Sequence, residues 1–146
     1  KMNAWYTEGT EVVFACGGGI YLSALAAAEE SGHGKLIGVY KDQAFESELI
    51  ITSAMKNLTG SVVQALTKIY ANGVALPEDM QGVVATLGAQ DDAVGLPTAE
   101  GSWRFAKFTQ DEYNALYAQL KDGSVVVSPD VENVPAVEVS TVDYQN

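Results

Sequence analysis

The sequence predicts an α/β fold built on a mostly parallel sheet. Three short, continuous apolar runs, EVVFAC (11–16), KLIGVY (35–40) and ELIITS (48–53), have the length and composition of buried strands. Helix-forming stretches follow the first and the third of them. This alternation calls for parallel strands joined by right-handed crossovers.

The elements follow in order. Ala4, Trp5 and Tyr6 read as the last turn of a helix closed by Gly9, so more polypeptide is expected upstream. EVVFAC reads as a strand buried on both faces and runs into Gly17-Gly18-Gly19. Residues 20–30 are rich in Ala and Leu, which favour helix, and SGHG (31–34) supplies glycines for a left-handed cap. KLIGVY and ELIITS are the second and third strands. Leu58, Val62, Val63, Leu66, Ile69 and Tyr70 recur at helical spacing, which predicts an amphipathic helix over 56–72 ending at Asn72-Gly73.

The second half changes character. GVVATLG (82–88) and AVGLP (93–97) read as two short strands, an antiparallel or bent pair separated by AQDD. TQDE (109–112) fits a capping box, and Tyr113, Leu116, Tyr117 and Leu120 give the stripe of a docked helix. KDG ends it. SVVVS (124–128) reads as a strand, SPDVENVP as a short loop, and AVEVSTVDY (136–144) as a half-exposed strand. There is no internal repeat, and 1–146 reads as a single domain.

Composition narrows the function classes. With 146 residues, 47% apolar and 18% charged, the chain can build one real core. No apolar stretch approaches the ~20 residues that span a bilayer, so direct membrane insertion is not expected. A net charge of −11 repels phosphate backbones and argues against nucleic acid as a partner. The single cysteine, Cys16, rules out an intrachain disulfide and a cysteine-based zinc site. It reads as a small buried hydrophobe, and His33 as a solvated loop residue. QDDAVG falls far short of a calcium loop, so no metal or cofactor is expected. GSWRF (101–105) places an aromatic pair around Arg104 and reads as ordinary packing, with cleft rim or partner contact as the alternatives.

The glycine turn is the first candidate site. It lies at the carboxyl end of a strand, where ligands collect in open α/β sheets, and its glycines let a ligand approach the backbone. A dinucleotide fingerprint needs G-x-G-x-x-G. Gly17 and Gly19 fit, but Leu22 holds the third place, and Tyr40 stands where an acidic residue would hold a ribose. A Rossmann-like cofactor-binding enzyme domain is therefore one alternative, and a plain strand–helix bend another. The turns after the other two strands add Tyr40, Asp42 and Lys56. Amide donors, an aromatic face, a carboxylate and an ammonium on one sheet edge suit a polar, ring-bearing small molecule.

Three stretches in order, YTEGTEVVFACGGG, LIGVYKDQ and IITSAMKN, together resemble the basic membrane protein (BMP) family. Its members are nucleoside-binding lipoproteins that serve as receptors for ABC importers. The matching residues are Gly9-Thr10-Glu11-Val12-Val13-Phe14, Gly38-Val39-Tyr40-Lys41-Asp42-Gln43 and Thr52-Ser53-Ala54-Met55-Lys56. The clear match covers about residues 5–70, and the remainder agrees in pattern only.

The resemblance implies a three-layer lobe like those of type I periplasmic-binding proteins, and no catalysis. The motifs belong to the C-terminal lobe, so the chain is expected to be one half of a two-lobe receptor whose N-terminal lobe it lacks. Expected partners are a nucleoside-like ligand, the N-terminal lobe and an ABC permease. The expected location is periplasmic or extracellular, membrane-anchored as a lipoprotein in the full-length protein. A sensory lobe without transport is the further alternative. Carried over from the family, Gly17, Gly18 and Gly19 match the turn that approaches the nucleoside, although Ile20 replaces a further glycine. Lys56 matches the lysine that reaches the ligand. Tyr40 replaces the aspartate that accepts from the ribose hydroxyls. A phenol offers one hydrogen bond there, not a bidentate charged grip. Asp42 and Gln43 match, with a loop-holding role open to both.

Overall fold

The computed structural model describes residues 1–128 and 132–133. Its elements are α1 (Met2–Thr7), β1 (Val12–Phe14), α2 (Ile20–Ser31), β2 (Lys35–Tyr40), β3 (Ile50–Lys56), α3 (Leu58–Ala71), β4 (Val94–Gly95) and α4 (Gln110–Asp122). Short 3-10 turns cover Glu78–Met80 and Ala89–Asp91. The four strands form one sheet in the order β1-β2-β3-β4. β1, β2 and β3 run parallel, and β4 adds antiparallel to β3. The fold is thus α/β with a mostly parallel sheet, as the sequence predicts.

The core forms where α1 and α2 pack on the sheet. Ala24, Ala27 and Ala28 give α2 a small-residue face that approaches the strands closely, and they bury with Tyr6, Val13, Leu36 and Ile50. Each fully buried Leu or Ile side chain stabilises the fold by roughly 1.5–3 kcal/mol. The Tyr6 hydroxyl donates to the Lys35 carbonyl at 2.9 Å and ties α1 to the start of β2. Gly32 closes α2 in the left-handed region. At α4, Thr109 accepts from the Glu112 amide while Glu112 accepts from the Thr109 amide, the reciprocal cap expected of TQDE.

Several expectations change. β1 is only three residues long and alternates, with Val13 buried but Val12 and Phe14 exposed. Among the described residues it pairs only with β2, it is not buried on both faces, and Cys16 just beyond it is exposed. Residues 82–88 form no strand, and the pairing expected there reduces to Val94–Gly95 beside Lys56 and Met55. Residues 124–128 also form no strand. Apolar composition cannot make a strand where no neighbouring strand offers a ladder. Finally, α3 forms as the periodicity predicts, but it buries no residue among the described ones, and Val62 and Tyr70 stay 57% and 68% exposed. α4 likewise has no fully buried residue. The strand expected over 136–144 lies outside the described residues.

Candidate functional site

The carboxyl ends of β2 and β3 carry the site. Here the sequence GVYKDQ builds a small knot. The register sets Gly38 directly opposite Ser53. Gln43 is buried, its side-chain oxygen accepts from the Val39 amide at 2.8 Å, and its own amide donates to Ser53 Oγ at 3.0 Å. A Cβ on Gly38 would stand 2.6 Å from Ser53 Oγ and 2.7 Å from Gln43 Oε1. Position 38 is therefore glycine because these two polar groups fill the space.

The knot turns the chain sharply. Tyr40 has φ +72°, in the left-handed region that disfavours a side chain bearing Cβ. The turn brings the Tyr40 ring beneath the ammonium of Lys56, 4.7 Å from ring centre to Nζ. This is a cation–π contact between two strands that pair at Tyr40 and Met55. Asp42 holds the turn. Its Oδ1 accepts from the Ala44 amide at 3.0 Å, and its Oδ2 accepts from the Ser102 hydroxyl.

The rim is anchored from a distance. Nη1 of Arg104 lies 3.0 Å from the Ala44 carbonyl oxygen and 2.8 Å from those of Ser47 and Ile50. Two hydrogens are thus shared among three acceptors. The Arg104 amide also donates to Ile51. Beside it, Trp103 packs against Phe105, Phe108 and Tyr113. GSWRF is therefore packing, with the added task of fixing the loop before β3.

A cleft of about 660 Å³ opens over this edge. Tyr40, Asp42 and Lys56 line it together with α4 residues Tyr113, Asn114 and Tyr117 and with Asp92 and Val94. The Tyr113 hydroxyl accepts from the Leu96 amide at 2.9 Å, and the Tyr117 hydroxyl donates to the Val94 carbonyl at 2.8 Å. These contacts seat α4 across β4. The sequence treats Tyr113 and Tyr117 only as an apolar stripe, because nothing local signals that their hydroxyls reach back to residues 94–96.

Gly17, Gly18 and Gly19 lie after β1, on the same sheet edge but two strands from Lys56. That is about 10 Å at the usual strand spacing. Gly18 takes φ +43°, which requires glycine or a strained substitute. The structure brings Tyr40, Asp42 and Lys56 together in the cleft, and the glycine turn does not line that cleft.

Asp92 closes the far wall. Lys121 Nζ lies 2.7 and 2.8 Å from its two oxygens, and Tyr117 Oη lies 3.4 Å from one. The hydrogen bond from Lys121 holds the Asp92 carboxyl below the ordinary carboxylate range and raises Lys121. Burial, then the Asp92 charge, pushes the Tyr117 phenol up. A carboxylate lowered on folding contributes stability above its unfolded pKa, and loses it as pH falls through the folded one. The Asp92–Lys121 link is therefore expected to persist on acidification until below pH ~3.9, the ordinary aspartate value. Carboxyl-carbon NMR titration checks this, and an Asp92 midpoint above 4 would contradict it.

Among the described residues, no group of three or more His, Cys, Asp or Glu is placed to hold a metal ion. No helix there is long and apolar enough to cross a membrane. The arrangement is suited to holding a molecule by aromatic contact, hydrogen bonds and one ammonium. No curated protein gives a significant match to the chain. Residues 2–127, however, match the profile of the Bmp family, described as "ABC transporter substrate-binding protein PnrA-like". That span takes in both the parallel sheet and the cleft at its edge, and the chain belongs to the Bmp family of ABC transporter substrate-binding proteins.

Proposed function

We propose that this chain is the C-terminal ligand-binding lobe of a two-lobe solute receptor, and that its cleft is half of a pocket for a nucleoside or a similar polar, ring-bearing molecule. The family is one of substrate-binding proteins, a non-enzymatic kind, whose partners are a small-molecule ligand and an ABC permease. Such proteins work in the periplasm or outside the cell. In this reading the full-length receptor is held at the membrane by a lipid anchor, and the N-terminal lobe supplies the second wall of the pocket.

The meeting of Tyr40 and Lys56 in the cleft carries the reading. Ligands of open α/β sheets settle outside the carboxyl ends of the strands, and these two side chains stand there. Asp42 lines the same cleft with both oxygens engaged, so it supports the rim that presents the pair. The glycine turn, on the same edge, would meet a ligand that extends beyond the cleft toward β1.

Receptors of this architecture reach full affinity by closing two lobes around the ligand. The single chain is therefore expected to bind purine nucleosides at least ~100-fold more weakly than a receptor carrying both lobes, because half of the contacts are missing. Calorimetric titration of both forms tests this. Low-micromolar binding by the single chain would overturn the half-pocket reading.

A further inference from the structure

The charges lining the cleft point to a narrower ligand class, an assignment that rests on reading the cleft as a ligand site. Four charged side chains line it, namely Lys41, Asp42, Lys56 and Asp92. Three have charged or hydrogen-bonding partners. Lys41 pairs with Glu46 at 3.2 Å, and Asp92 pairs with Lys121 at 2.7 Å. Asp42 accepts from the Ala44 amide on one oxygen and from the Ser102 hydroxyl on the other.

Lys56 differs. Its contact is the face of the Tyr40 ring, and no carboxylate of the described residues stands within ion-pair distance of it. A ring face attracts an ammonium but accepts none of its three N–H donors in a directed hydrogen bond. Tyr40 holds this position from a left-handed backbone that a non-glycine residue adopts only at a cost. Among the described residues, Lys56 is thus the one cleft ammonium lacking a counter-ion, in a cleft also lined by the phenols of Tyr40, Tyr113 and Tyr117. Of the described carboxylates that line it, neither Asp42 nor Asp92 has both oxygens free to grip a neutral sugar diol.

We propose that the cleft takes an anionic, ring-bearing small molecule, with Lys56 as the counter-ion to its carboxylate or phosphate and the tyrosines against its ring. Lys56 then sets charge selectivity, and Tyr40 sets where the ammonium stands.

Matched probes test this with the full chain. Adenosine and adenosine monophosphate differ by a phosphate, and uracil and orotate differ by a carboxylate. Each is titrated to millimolar concentration, with binding read from amide NMR shifts, and the dispersion of the same spectra reports folding. The charged member of at least one pair is expected to bind about tenfold tighter, the size of a charge-assisted hydrogen bond. The pair that responds identifies the anion. Lys56→Met should erase that advantage, so that the charged and neutral members of the responding pair bind alike, and Tyr40→Asp should favour the neutral member. Equal or tighter binding of both neutral members by the wild-type chain would overturn the charge assignment and leave the pocket reading intact. Absence of shifts at the cleft with all four probes would overturn the pocket reading itself, and the assignment with it.

Discussion

Gly38→Val is expected to destabilise the chain by about 3 kcal/mol, through overpacking and the loss of buried hydrogen bonds. The added Cβ would meet Ser53 Oγ at 2.6 Å and Gln43 Oε1 at 2.7 Å. Neither neighbour has room to yield, because Gln43 and Ser53 are both buried and each already accepts a backbone amide. Displacing Gln43 would leave the Val39 amide without its acceptor. Denaturant unfolding checks this, with a lowered midpoint at unchanged slope as the expected result. A change within 0.5 kcal/mol of wild type, the range of an ordinary surface substitution, would show that the knot yields freely.

Arg104→Met should cost about 2–4 kcal/mol, since hydrogen bonds to a charged donor are worth more than neutral ones and three carbonyls lose theirs together. The three belong to Ala44, Ser47 and Ile50, so the damage is local to the loop between β2 and β3. Hydrogen exchange across 41–50 should accelerate, while α2 and β1 keep their protection. Uniform acceleration over the whole chain would instead mean that Arg104 supports the core, not the rim. The two variants also separate functions. The first disturbs the knot that aims Tyr40, and the second frees the loop behind it.

What the sequence alone reveals follows the range of each interaction. The second strand is legible to the residue, because KLIGVY is a continuous apolar run between clear breakers. The capping box at Thr109 is legible because both of its hydrogen bonds span three residues. The pairing of Tyr40 with Lys56 is half legible. Both follow strands on one edge, but contact depends on the left-handed turn at Tyr40, which a tyrosine does not announce. GSWRF leaves a rim role open, but the acceptors of Arg104 are illegible, because they lie 54 to 60 residues away. Tyr113 and Tyr117 are illegible as cleft residues for the same reason. Cys16 is misread because an apolar run does not reveal where its strand ends, and β1 stops at Phe14, two residues short of it.

The guanidinium of Arg104 closes a loop of more than fifty residues, from Ile50 around α3 and β4 and back. The entropy of such closure grows only slowly, by roughly 0.6 kcal/mol for each doubling in length. Insertions or deletions in the irregular stretch at 82–88 would therefore tax the clamp very little. The cleft rim and the intervening stretch can therefore diverge separately.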